Sequence, residues 1–198
     1  MQFQNGDIFH IYNRGNNKQQ IFFSEDNYQF FVAKIKHYVC PVSDVLAYCL
    51  MPNHFHLLLR TNDLSGRLKK IGTVSSTELT NSFRVLQSTY ANAINKQNGS
   101  IGSLFQQKTQ FKLLSSSTNL KHDDLQCCFH YIHQNPLRAR LVKKMEEWKF
   151  SSFNEYLTGV EDGICNNIIS KEIIGLPAHL FYEASYSTLN EDMLKDIF

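Results

Sequence analysis

The chain has 198 residues, of which 42% are hydrophobic and 19% charged, a composition that suits one globular domain and excludes a disordered one. The net charge of +2 excludes a histone-like polybasic binder, yet it hides an asymmetry. Residues 1–149 hold 18 Lys/Arg against 10 Asp/Glu, whereas residues 150–198 hold Lys171 and Lys195 against eight acids. A basic body fits a polyanionic ligand, and the acidic end fits either a solvated counterweight or a shield for the basic surface.

In chain order, Asp7 to Tyr12 carries β-prone residues and predicts a short strand, and Asn13 to Asn17 a turn. Ser24, Glu25 and Asp26 form a helix-start signal, with Tyr28, Phe31, Ile35 and Tyr38 at helical spacing and Pro41 as the stop. Val45–Met51 and His54–Arg60 predict adjacent strands joined tightly at Pro52-Asn53. Leu64–Ile71 reads as a short basic helix, and Ser75 with Glu78 as a capping box. The next helix carries Leu79, Phe83, Leu86, Tyr90 and Ala93, and stops at Asn98-Gly99. A final strand is expected within Leu104–Leu114 and a helix over Leu125–Gln134. Pro136 is expected to break that helix, with a basic helix restarting over Leu137–Lys144. Ser152–Leu157 predicts a short helix ended by Gly159. Residues 160–198 give no clear pattern. Strand, helix, strand, strand, helix, strand predicts an α+β ferredoxin-like antiparallel sheet. Helices cover one face, the other is left for a site or for later helices, and a C-terminal extension follows.

Five cysteines form an odd set with no Cys-x-x-Cys and read as reduced thiols, most of them core fillers. The start MQFQNGDIF lacks a signal-peptide pattern, and no apolar run approaches the ~20 residues of a membrane helix. A cytoplasmic protein without membrane partners is expected.

Two motifs carry chemistry. In His54-Phe55-His56 on a strand, side-chain alternation sends both imidazoles to one face and Phe55, Leu57 and Leu59 to the other. Such a pair is half of a metal site, or two satisfied histidines. In Tyr131-Ile132-His133-Gln134-Asn135-Pro136, Tyr131 and Asn135 share a helix face, and Gln134 could reach it. A phenol beside an amide suits phosphoryl transfer, provided a metal or base activates the phenol. The same residues also suit a packed tyrosine and a capping asparagine.

Together the motifs resemble a known family. Tyr12-Asn13-Arg14-Gly15, Met51-Pro52-Asn53-His54-Phe55-His56-Leu57-Leu58-Leu59, Tyr131-Ile132-His133-Gln134-Asn135-Pro136-Leu137-Arg138-Ala139, Trp148-Lys149-Phe150-Ser151-Ser152 and Tyr156-Leu157 are similar to the single-tyrosine HUH transposases. Their order and spacing resemble the REP-associated tyrosine transposase branch. The resemblance runs from about residue 8 to residue 159, giving a catalytic domain over 1–159 and an acidic extension over 160–198 packed on or beside it.

The resemblance implies a metal-dependent single-stranded DNA transposase, an endonuclease and strand transferase acting at hairpin or repeat ends. Tyr131 would be the nucleophile, forming a 5′-phosphotyrosine intermediate. His54, His56 and Asn135 would hold Mg²⁺ or Mn²⁺, with Gln134 as a substitute for Asn135. Phosphate contacts are expected from Arg14, Arg60, Lys69, Lys70, Lys108, Lys112, Arg138 and Arg140, with Arg67, Lys143 and Lys144 as further candidates. Tyr12 could stack on unpaired bases. His10, His130 and His133 read as structural or supporting, and Trp148, Phe150 and Phe153 as an aromatic core patch.

The alternative is a domesticated or inactive transposase that binds structured single-stranded DNA or RNA. A rolling-circle nickase is disfavoured by the chain's size and single candidate tyrosine. The sequence leaves homodimer and monomer open.

Overall fold

The computed structural model describes residues 2–160, 163–175, 177–187 and 189. Six strands run in order: β1 (Ile8–Arg14), β2 (Ser43–Met51), β3 (His54–Thr61), β4 (Leu68–Ile71), β5 (Val74–Thr77) and β6 (Gln110–Ser115). The helices are α1 (Glu25–Tyr38), α2 (Glu78–Asn98), α3 (His122–Arg138), α4 (Phe153–Thr158), α5 (Asn167–Ile174) and α6 (Phe181–Tyr186). The main sheet is antiparallel with order β2-β3-β1-β6, so β1 and β3 lie at its centre.

Alternation splits each central strand between two cores. Phe9, Ile11, Phe55, Leu57 and Leu59 face α1 and α2, joining Phe31, Ile35, Phe83, Leu86 and Tyr90. Ile8 and Leu58 point the other way, and with Leu46, Ala47, Cys49 and Met51 of β2 they pack under α3 to α6. The second face is therefore covered by the later helices along one part of its length and open at the other. At ~25 cal/mol per Å², each fully buried Leu, Ile or Phe side chain contributes about 1.5–3 kcal/mol, so both cores hold the sheet in place.

The outer edge of β2 is closed by segment 148–152. Leu50 N donates to Phe150 O at 2.8 Å, Ser152 N to Tyr48 O at 2.9 Å, and the Trp148 indole to Leu50 O at 3.1 Å. Phe150 stacks on Tyr28 at 3.9 Å, and Phe153 is fully buried, so this aromatic group is core. All five cysteines are free thiols, with Cys40 half-buried and the others buried.

Several local expectations are corrected. Leu64–Ile71 is not a helix: Leu68–Ile71 pairs with Val74–Thr77 as a two-stranded hairpin, because Gly72 turns the chain with φ +61° and Val74 and Thr77 favour extension. The cap of α2 is Thr77, whose hydroxyl accepts from Thr80 N; Ser75 sits inside β5 instead. β6 is shorter than Leu104–Leu114, since residues 104–109 form a loop. Gly99 ends α2 in the left-handed conformation, and Gly159 ends α4 in the same way.

Pro136 does not break α3, which continues to Arg138. Proline lacks the N–H that would serve Ile132 O. The Asn135 side chain turns back instead, with Nδ2 2.9 Å from Tyr131 O and 3.5 Å from Ile132 O. No helix forms over Leu137–Lys144: Arg140 takes φ +57°, and a 3₁₀ turn follows at Met145–Glu147.

Among the described residues after Gly159, α5 and α6 are the helices that pack on the body. Asn166 N donates to Val45 O at 2.8 Å, and α6 meets α3 through His130 Nδ1–Ser185 Oγ at 3.0 Å and Gln134 Nε2 to Ser185 O at 2.8 Å. The expected shielding by the acidic end rests partly on residues 190–198, which lie outside the described residues.

Candidate active site

The site lies at the open end of the second sheet face, where the β3 N-terminus meets the β1 C-terminus. The antiparallel register sets Tyr12 beside His56 and Arg14 beside His54, with Cys49 and Met51 of β2 on the other side. His54 and His56 share a face as strand alternation requires, and their rings stand perpendicular with centroids 4.9 Å apart.

From the opposite layer α3 brings Tyr131 to the same place. Its ring stands edge-on to His56 at 90°, centroids 6.0 Å apart. Tyr131, His54 and His56 belong to one chain and line one cleft of about 590 Å³ with Tyr12, Arg14, Lys18, Asn53, Gln106 and Gln110.

The electrostatics follow from this burial. His54 is pushed down to about 4, first by desolvation and then by the Arg14 guanidinium beside it. His56, 5% exposed, lies well below the usual imidazole range through desolvation and then the neighbouring His10 and His54. Both rings are therefore neutral at pH 7 and carry a lone pair, the form that binds a metal. The Tyr131 phenol is raised by burial, while Arg138 pulls the other way. The Arg138 guanidinium lies 5.8 Å from the Tyr131 ring centroid, a cation–π contact.

Among the described residues no group of three or more His, Cys, Asp or Glu side chains is placed to hold a metal. Asn135, four residues after Tyr131, has its Nδ2 anchored on the Tyr131 carbonyl, which leaves Oδ1 as its acceptor atom. Two neutral imidazoles and an amide oxygen are donor types that fit a small divalent cation, although Asn135 is not among the residues that line the cleft. Gln134 points elsewhere: its amide donates to Ser185 O and Ser187 O under α6.

Of the basic residues, Arg14 lines the cleft and Arg138 covers Tyr131. Lys112 lies on the same sheet face, opposite His10 in register. Lys108 lines a neighbouring groove of about 620 Å³ between α2 and residues 103–111, which shares Gln106 and Gln110 with the cleft. The structure does not bring Arg60, Lys69 or Lys70 there. Arg60 sits at the far end of β3, 3.9 Å from Asp44, and Lys69 lies on the β4–β5 hairpin, 3.3 Å from Glu78. Arg140 follows α3 as an exposed residue.

Sequence reasoning missed Lys18 as a cleft residue, whereas His10, expected to be structural or supporting, touches His56. Its Nε2 lies 2.9 Å from His56 Nδ1, on a fully buried ring. The alternation of His10 with Tyr12 along β1 was the available signal. His133 is bonded to Ser152 Oγ at 2.7 Å beneath α3 and is structural.

The fold and cleft define an α+β protein with a central antiparallel sheet, two strand histidines and a helix-borne tyrosine. A solved structure of a REP-associated tyrosine transposase bound to a REP hairpin has the same fold, with TM-score 0.58 and 17% identity over 80% of this chain and 82% of that one. No family model matches the chain, and no curated protein matches it. No helix among the described residues is long and apolar enough to cross a membrane.

Proposed function

We propose that this chain is a single-stranded DNA transposase, cutting and rejoining DNA at hairpin or repeat ends through Tyr131. The observation that carries the reading is the edge-on approach of Tyr131 to His56 within one chain, inside a cleft that also holds His54 and Arg14. The fold shared with a hairpin-bound tyrosine transposase supports the substrate class. In this reading residues 1–159 form the catalytic unit, residues 160–198 an acidic extension on or beside it, and the protein works in the cytoplasm. The meeting of the tyrosine and histidines in one chain supports a monomer as the acting unit, with a homodimer as the alternative.

His54, His56 and Asn135 would hold the divalent cation, Mg²⁺ or Mn²⁺. When bound, it supplies Lewis-acid polarisation of a non-bridging phosphate oxygen and offsets charge in the transition state. The chain's own residues do the rest. Arg14, Lys18 and Arg138 draw the phosphate backbone into the cleft, with Lys108 and Lys112 extending the track. Tyr12 offers a stacking surface for an unpaired base. The contact with Arg138 holds the Tyr131 ring in place for attack.

The Tyr131 Oη forms a bond to phosphorus as the bond from phosphorus to the 3′ oxygen breaks. The phenolic proton passes to the departing oxygen, which leaves as a 3′-OH. A 3′-OH reverses the step and frees the tyrosine. One phosphodiester is exchanged for another, so no nucleotide energy source is needed.

The test is cleavage and rejoining of a hairpin-bearing single-stranded oligonucleotide with Mg²⁺ or Mn²⁺, read on a denaturing gel. Cut and rejoined products support the reading. Tight hairpin binding with no cleavage under any divalent metal would replace it with the inactive, binding-only alternative.

A further inference from the structure

The turn between β2 and β3 is held far more tightly than a two-residue connection requires. Gly15 N donates to Asn53 O at 2.8 Å, and Ile21 N and Phe22 N both donate to Pro52 O, at 2.8 and 3.1 Å. Residues 15–22 thus wrap the turn from outside. The wrap has no spare room: a Cβ on Gly15 would run into the Gln19 carbonyl oxygen. It also contains two successive non-glycine residues in the left-handed region, Asn17 at φ 52° and Lys18 at φ 60°. L side chains disfavour that region, so such a pair persists only where surrounding bonds impose it.

The strained segment delivers one carbonyl to the turn. Lys18 O accepts from Asn53 Nδ2 at 3.3 Å. That bond fixes which way the Asn53 amide faces, and its oxygen is then directed at the neighbouring ring. Asn53 Oδ1 lies 2.6 Å from His54 Nδ1. An amide oxygen only accepts, so His54 Nδ1 must carry the ring proton and Nε2 the lone pair. A neutral imidazole has one proton to place, and its second nitrogen takes whatever character the first is assigned.

We propose that Asn53 is a positioning residue that locks His54 in the Nδ1–H tautomer, with the strained loop at Asn17-Lys18 as the device that aims its amide. His10 engages the corresponding nitrogen of His56 at 2.9 Å, with the two ring planes 14° from parallel. Each histidine is thus engaged at Nδ1 by a neighbouring side chain, Asn53 for His54 and His10 for His56. The use of this arrangement, presenting lone pairs to a cation, rests on the function proposed above; the tautomer itself does not.

The experiment reads the full-length chain in two ways. Long-range ¹H–¹⁵N spectra of the metal-free protein assign the His54 tautomer, and Mn²⁺ titration followed by electron paramagnetic resonance gives metal affinity. The expected wild-type result is protonated Nδ1 on His54. Asn53→Leu should move the proton toward Nε2, and Asn53→Asp, which keeps an acceptor oxygen, should restore Nδ1–H. Asn53→Leu should also weaken Mn²⁺ binding by roughly 10–100-fold, the usual cost of removing an outer partner of a metal ligand. Protonated Nε2 in the wild type, or an unchanged His54 tautomer in folded Asn53→Leu, overturns the proposal. A wild type with the expected tautomer but no Mn²⁺ binding leaves the lock standing and removes the cation-dependent reading instead.

Discussion

The ring of Tyr131 meets that of His56 at a right angle, 6.0 Å between centroids, although the two residues come from opposite layers of one chain. β3 supplies the histidine from the sheet centre, and α3 lays the tyrosine across it. Neither motif forms a site alone. Their meeting brings the proposed nucleophile and the histidine pair into one cleft of a single chain.

The histidine pair should be indispensable for cleavage and dispensable for folding. His54→Ala with His56→Ala should lower strand cleavage at least about a thousand-fold, while hairpin affinity measured at fixed salt changes much less. Chelation of the wild type should give the same loss, reversed by added Mg²⁺ or Mn²⁺. Full cleavage by the double variant would remove these residues from the reaction.

Arg138 should act through the tyrosine. It is exposed, so its cation–π contact is at the weak end of such interactions, about 0.5–1 kcal/mol. Arg138→Ala should therefore slow single-turnover cleavage by roughly two- to five-fold at saturating DNA. Arg138→Lys should recover part of that loss. An effect confined to DNA affinity would assign Arg138 to the phosphate backbone alone.

Acid should destabilise the fold through buried histidines under α3. His130 is pushed down from 6.5 to about 4 by burial, and His133 is lowered in the same direction. The unfolded chain thus binds more protons between those values, and stability falls as pH drops from about 6.5 to about 4. For His130 alone the loss is on the order of a few kcal/mol. Thermal midpoints taken from pH 7.5 down to pH 4.5 should decline, and His130→Gln should flatten the slope. A midpoint insensitive to pH across that window would contradict the burial of these rings.

Gly15→Ala should damage the site more than its distance from the reacting atoms implies. The added Cβ meets a backbone carbonyl that cannot move aside without opening the clamp on Pro52-Asn53. A loss of about 1–3 kcal/mol in stability is expected, with weakened Mn²⁺ binding in the fraction that folds. Denaturant melts and metal titration of the same sample separate the two effects.

The sheet was legible because its signals are local. Alternation in His54–Arg60 assigned both faces of β3, and the 3.6-residue period assigned α2. The errors fall where tertiary contacts outweigh local preference. Pro136 is a helix breaker by sequence, but the Asn135 side chain turns back on the carbonyls beside it and α3 runs on. Leu64–Ile71 has helix-compatible residues, but pairing with β5 across Gly72 claims the last four. The histidine pair and Tyr131 could be singled out from spacing, and the family resemblance implied their roles. His10 could be read as supporting, but its contact with His56 and the part played by Asn53 could not, because they depend on a neighbouring strand and a loop brought together only by folding.

The most direct test is a covalent adduct. A hairpin oligonucleotide labelled on its 3′ side should become attached to the wild-type chain in the presence of Mg²⁺, and peptide mass mapping should place the link on Tyr131. Tyr131→Phe should bind the same hairpin and form no adduct. An adduct on Tyr131→Phe, or a link mapped to any other residue of the wild type, would contradict the account.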